Sequence, residues 1–203
     1  MKRLLAVFVL IVASASAYAQ APVILVFGDS ISAAYGLRQE QGWAELLKTR
    51  LQSQGYGYQV VNASVSGETT AGGLARLPRA LELHHPKIVI LELGGNDGLR
   101  ALPIAQMRAN LTQMVTLAAA IGAKVLLLGM RMPPNYGPEY TKQFALVFSD
   151  LASEKKIPSV PFLLNDIALS PNLLQGDDIH PNALGQPILL DNVWPALKPL
   201  LHK

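Results

Sequence analysis

The sequence predicts an α/β fold in which one parallel sheet is covered by helices on both faces. Three observations point to it. Val23-Ile24-Leu25-Val26-Phe27, Ile88-Val89-Ile90-Leu91-Glu92-Leu93 and Val125-Leu126-Leu127-Leu128 are nearly continuous apolar runs. That is the pattern of strands buried on both faces, not the alternation of a half-solvated sheet. Between the runs lie segments whose apolar residues recur at three- and four-residue spacing, the mark of amphipathic helices. Several predicted strands also end in loops of small and polar residues, and parallel strands place all their carboxyl ends along one edge, where open α/β sheets build ligand crevices. A chain of 203 residues fits one domain with a sizeable core. It carries no internal repeat and no low-complexity segment.

Residues 1–19 stand apart from that domain. Lys2 and Arg3 precede an apolar run from Leu4 to Val12, and small residues lead to Ala17-Tyr18-Ala19, the composition of a secretory signal peptide cleaved after Ala19. The apolar core is short of the roughly 20 residues that span a bilayer, which argues against an uncleaved membrane anchor. The mature domain is expected to be 20–203, periplasmic or secreted.

In that domain Val23 to Phe27 make the first strand and Gly28 ends it, a glycine letting the backbone turn without a Cβ clash so that Asp29 and Ser30 emerge at the carboxyl end. Trp43, Leu46, Leu47 and Leu51 stripe a helix, with Trp43 in the core. Gly55 and Gly57 mark a turn before a second strand, Tyr58 to Asn62. Leu74, Leu77, Leu81 and Leu83 suggest a second helix that Pro78 must delay or kink. His84 and His85 fall at its end; neighbours on a helix point to different sides, which suits the helix dipole better than a metal. Ile88 to Leu93 is the third strand, broken by Gly94-Gly95-Asn96-Asp97-Gly98. Pro103 opens a helix through Met107, Leu111, Met114, Val115 and Leu117 toward Ile121 and Gly122. Val125 to Leu128 is the fourth strand. Met132 to Pro138 is a rigid Pro-rich loop, and Phe144, Val147, Phe148 and Leu151 stripe the next helix. Ser159 to Phe162 gives a weak fifth strand. Gly176 to Asn182 precede a last helix containing Ile188, Leu189, Val193, Trp194 and Leu197, whose limits Pro187 and Pro195 blur.

Charge and composition exclude several functions. Removing Lys2 and Arg3 from the 17 basic residues leaves 15 against 14 acidic ones, and no Lys/Arg cluster offers a nucleic-acid surface. With no cysteine the chain has no disulfide, no thiol nucleophile and no lipid-modified cysteine.

Ser30 is the candidate nucleophile, against the alternative that it merely caps the next segment. A serine hydroxyl needs a base to take its proton, and the base needs an acid to hold its tautomer. Asp177 and His180, three residues apart on one turn, can supply both. The Ser30 N–H, the Gly67 N–H and the Asn96 side-chain amide are candidate oxyanion donors; glycine at 67 would let the backbone approach closely, and asparagine carries an NH₂ group. Taken singly, Asn96-Asp97-Gly98 reads as an ordinary turn and His180 as a surface histidine.

Other chemistries fail on spacing. Position 32 is serine, so the G-x-S-x-G elbow is absent, and Gly94 to Gly98 lack the lysine and spacing of a phosphate loop or a dinucleotide fingerprint. Asp177, Asp178 and His180 have no second cluster to complete a metal site. Neither metal nor cofactor is expected. Two functions remain open: a serine esterase or thioesterase working through an acyl-enzyme, and an exported module that holds a carbohydrate or lipid in the same crevice without turnover.

Gly28-Asp29-Ser30 with Ser32, Asn62-Ala63-Ser64 leading to Gly67, Gly94-Gly95-Asn96-Asp97, and Asp177 to His180-Pro181 occur in that order and resemble the four blocks of the SGNH (GDSL) hydrolases. Leu93 to Arg100 and Asp177-x-x-His180-Pro181-Asn182 are similar to its branch of periplasmic multifunctional esterases. The resemblance covers the mature chain. It implies a single three-layer α/β/α domain of flavodoxin-like type with a five-stranded parallel sheet, a Ser30-His180-Asp177 triad, an oxyanion hole from Ser30, Gly67 and Asn96, and no cofactor. The implied substrate is a small acyl ester or thioester, an aryl ester or a lysophospholipid, taken by a monomer. Two positions depart from the pattern: Ala34 stands where glycine is expected, and Ala101-Leu102-Pro103 follows Arg100 where the branch often has glycine.

Overall fold

The computed structural model describes residues 21–203; the expected signal peptide, 1–19, lies outside them. Five strands, β1 Val23–Gly28, β2 Gln59–Asn62, β3 Ile88–Glu92, β4 Lys124–Leu128 and β5 Ser159–Val160, form one parallel sheet in the order β2-β1-β3-β4-β5. All six residues of β1 and all five of β3 are buried, which is why these strands read as unbroken apolar runs. The order reverses between β1 and β3, the switch point where an open sheet leaves a crevice beyond its strand ends. Ser30 follows β1 and Asn96 follows β3, so both flank that crevice.

Six α-helices accompany the sheet: α1 Trp43–Ser53, α2 Thr70–His84, α3 Gly95–Leu99, α4 Ile104–Ala120, α5 Pro138–Lys155 and α6 Gln186–Leu197. α1 packs with α6, whereas α2 packs with α4 and α4 with α5, giving two helical layers around the sheet. Trp43, Leu47 and Leu51 of α1 and Phe144, Phe148 and Leu151 of α5 are buried in the core. Among the described residues no helix is long and apolar enough to cross a membrane.

Three local expectations need correction. α2 starts at Thr70 and carries Pro78 inside it, so proline does not delay the helix; the Thr69 side chain accepts from the Gly72 N–H and starts it a turn or more before the ring. Leu83 is 61% exposed and off the apolar stripe. Gly95 to Gly98 belong to the single-turn helix α3, with Gly94 as its N-cap, and are not only a strand-breaking loop. His85 caps α2 in the left-handed conformation, its N–H donating to Leu81 O, which agrees with a helix-end role.

Candidate active site

The strand ends bring distant residues together. His180 Nε2 lies 2.8 Å from Ser30 Oγ, and His180 Nδ1 lies 2.6 Å from Asp177 Oδ2. A carboxylate only accepts, so Nδ1 carries the hydrogen donated to Asp177 and Nε2 is left to accept from the Ser30 hydroxyl. Asp177 and His180 are held by an Asx turn, not a helical one: Asp177 Oδ1 accepts from the backbone N–H of Ile179 and of His180, each at 3.0 Å. Partial burial pushes the Asp177 carboxyl up, but the His180 N–H, the imidazole and the Ile179 N–H outweigh it and bring it down to about 2. It is therefore ionised near neutral pH. The Tyr35 ring lies against the imidazole with centroids 4.6 Å apart, restricting its rotation.

Ser30 is presented by a turn in which the Ala33 N–H donates to Asp29 O and the Tyr35 N–H to Ser30 O. Gly28 ends β1 as expected, for a different reason: a Cβ there would come within 2.5 Å of Glu92 Oε2 and 2.9 Å of Glu92 O. Close packing against β3, not freedom to turn, excludes a side chain. At Gly67 the reverse holds. A Cβ would meet only Arg100 Nη2 at 3.8 Å, but φ is +78°, the left-handed region that glycine enters without strain.

Among the described residues neither the Ser30 N–H nor the Gly67 N–H donates to a protein acceptor. Asn96 Nδ2 donates one hydrogen to Asp29 Oδ2 at 3.1 Å and keeps a second. The loops carrying these donors are tied to one another. Thr70 donates from N and Oγ1 to the two oxygens of Asp97 at 2.8 and 2.6 Å, and Arg100 donates to Gly67 O at 3.1 Å. Arg76 links the second loop to β1, donating to Ala63 O at 2.7 Å while its guanidinium lies 4.0 Å from the Phe27 ring centroid.

Ser30, Gly67, Asn96 and His180 line one cavity of about 510 Å³ whose walls include Ile31, Leu99, Met130, Met132, Phe162 and Leu164. That size and lining suit an apolar chain with a few convergent polar groups. Sequence reasoning missed four contributors: the Asp29 side chain, Glu92, Tyr35 and Arg100. Only Glu92 left a signal, a carboxyl in an otherwise apolar buried strand, which must be paired or neutral.

A hydroxyl, an imidazole and a carboxylate bonded in series at the carboxyl edge of a parallel sheet, opening onto an apolar cavity, define a serine hydrolase. The chain belongs to the GDSL-like lipase/acylhydrolase family, whose model matches residues 26–188. It is 54% identical over 183 residues to Esterase TesA of Pseudomonas aeruginosa, covering 90% of this chain and 91% of that one. Thioesterase 1/protease 1/lysophospholipase L1 of Escherichia coli K12 is 41% identical over 184 residues, covering 91% and 87%. A crystal structure of TesA superposes with a TM-score of 0.87 at 54% identity, covering 88% of this chain and 99% of that one. The protein is accordingly an ester hydrolase, and the reading as a non-catalytic binding module is set aside.

Proposed function

We propose that Ser30 Oγ attacks the acyl carbonyl of a carboxylic ester or thioester, passing its proton to His180 Nε2. The tetrahedral oxyanion is received by the Ser30 and Gly67 N–H groups and the Asn96 amide. His180 then returns the proton to the leaving alcohol or thiol, and a water, deprotonated by the same nitrogen, releases the acid from the acyl-enzyme. Asp177 holds the imidazole tautomer and balances the charge it acquires. The observation that carries this is the unbroken chain from Ser30 Oγ through His180 to Asp177 at 2.8 and 2.6 Å. The apolar cavity wall supports an acyl chain as the recognised part. The name of the Escherichia coli relative supports thioesters and lysophospholipids among the substrates. Hydrolysis of a short-chain nitrophenyl ester tests the reading: Ser30→Ala, melting normally, should lose at least about 10⁴-fold in kcat, and retained turnover would refute the nucleophile.

The triad and all three donors come from one chain, which supports a monomer as the working unit. Lys2-Arg3, the apolar run and Ala17-Tyr18-Ala19 support export. Protein recovered outside the cytoplasm should begin at Gln20 with the hydrodynamic mass of one chain; Met1 retained, or a larger particle, would count against the respective expectation.

A further inference from the structure

Beneath the site lies a pair of carboxyls that the mechanism above does not use. Asp29 is 2% exposed and Glu92 is 0% exposed, and among the described residues neither has a Lys or Arg salt-bridge partner. Two buried carboxylates without a cation are costly, so one must hold a proton. Glu92 Oε2 accepts from the Asp29 N–H at 3.2 Å and from Ser32 Oγ at 2.8 Å. Its other oxygen, Oε1, is buried with no hydrogen-bond partner, so it lacks the donors that would stabilise a charged carboxylate. Burial first, and then the Asp29 charge, push Glu92 well above the ordinary range. Burial also lifts Asp29, to about 6, against the Ile31 N–H, Asn96, Glu92 and His180, which hold it down. Asp29 is therefore the member that carries charge near neutral pH. Its Oδ1 accepts from the Ile31 N–H and its Oδ2 from Asn96 Nδ2, both at 3.1 Å.

Resting on the oxyanion role of Asn96 proposed above, we infer that Asp29 is the positioning residue for Asn96: its Oδ2 fixes one amide hydrogen and so aims the other at the oxyanion. An asparagine amide turns softly about its last torsion, and its two ends are nearly isosteric. Turned over, it would present a carbonyl oxygen to the developing negative charge. An ionised carboxylate can only accept, so it repels the turned-over amide and selects the donor orientation. Glu92, as a neutral acid, holds the Asp29 backbone in place without adding a second charge. A neutral amide at position 29 could not do this, because its single oxygen cannot serve both the Ile31 N–H and Asn96, and its NH₂ group would accommodate the wrong orientation.

A double-mutant cycle on nitrophenyl ester hydrolysis tests this. Asn96→Ala is expected to lower kcat by about 10²–10³-fold. Asp29→Asn should lower kcat by roughly 10- to 100-fold with KM nearly unchanged, and by almost nothing when introduced into Asn96→Ala. An equal factor in both backgrounds would overturn the positioning role while leaving Asn96 as a donor. An Asn96→Ala protein with normal kcat would overturn the donor role and this inference with it. Should Asp29→Asn fail to fold, the side-chain amide resonances of Asn96 are recorded by NMR in His180→Ala, which removes the imidazole from the neighbourhood. The remaining ionisable groups around Asp29 are Glu92 from β3 and Arg76 from α2, the latter donating to Gly28 O at 3.5 Å. Because His180 is one of the groups that hold Asp29 down, one Asn96 amide proton should move with a midpoint above the wild-type Asp29 value of about 6; resonances unmoved from acid to alkaline pH would overturn the inference.

Discussion

Two aspartates flank Ser30, and they behave in opposite ways. Asp177 is on a loop beyond β5 with its side chain 39% exposed; Asp29 is at the end of β1 and almost fully buried. Burial pushes both carboxyls up. At Asp177 the desolvation is partial and three donors, two backbone N–H groups and the imidazole, bring it down to about 2. At Asp29 water is excluded, a second carboxyl lies beside it, and the donors leave it at about 6. The same side chain is thus a fixed charge on one side of Ser30 and a group near its titration point on the other, as environment and not residue type dictates. The exposed member holds the His180 imidazole, and the buried one holds the Asn96 amide.

The largest way to break this contrast is Asp177→Asn. An amide there would force the imidazole toward the wrong tautomer, and kcat should fall by about 10²–10⁴-fold, the lower part of the range applying if water substitutes at so exposed a position. Because the carboxylate stays ionised down to about 2, an acid limb of wild-type activity above that pH belongs to another group. A wild-type limb that disappears in the variant would contradict this.

A subtler effect is expected at the buried member. In the folded protein Glu92 binds its proton more tightly than in the unfolded chain. Its stabilising contribution is therefore fully present below its usual value of 4.5 and is lost as pH rises through the raised folded value. Glu92→Gln mimics the neutral acid, its amide oxygen accepting from Asp29 and Ser32, and removes that dependence. The melting temperature of the variant relative to wild type should rise as pH increases above about 4.5. A difference that stays constant with pH would show that Glu92 is not a proton-holding acid.

The legibility of the molecule from its sequence follows the same divide. Strands β1, β3 and β4 were readable because burial on both faces leaves runs of apolar residues. Helices α1 and α5 were readable because one face packs on the sheet. Ser30, Gly67, Asn96, Asp177 and His180 were candidates from their places after strand ends and from the Asp177–His180 spacing, and the ordered resemblance to the four family blocks joined them. The structure brings Ser30, Gly67, Asn96 and His180 to one cavity and Asp177 to the imidazole of His180. What escaped was contact between residues far apart in the chain: Asp29 with Asn96, 67 positions away, and Ser32 with Glu92, 60 positions away. No periodicity encodes such pairs. Backbone strain escaped too, although the sequence marked where to look. Ala34 and Ala101, the positions where glycine was expected, have φ of 57° and 50°, left-handed conformations that cost a non-glycine residue on the order of 1 kcal/mol. Pro78 suggested a delayed or kinked α2, whereas the cap at Thr69, nine residues upstream of it, starts the helix at Thr70.

The central claim is that Ser30 is the nucleophile and that His180 activates it, and an organophosphonate probes that step alone, since it captures the attacking oxygen without requiring turnover. Intact-mass measurement after treatment should show a single adduct, mapped by peptide fragmentation to Ser30. The adduct should be absent in Ser30→Ala and should form far more slowly in His180→Ala. An adduct on another residue, or no adduct on a folded protein that hydrolyses esters, would contradict the account.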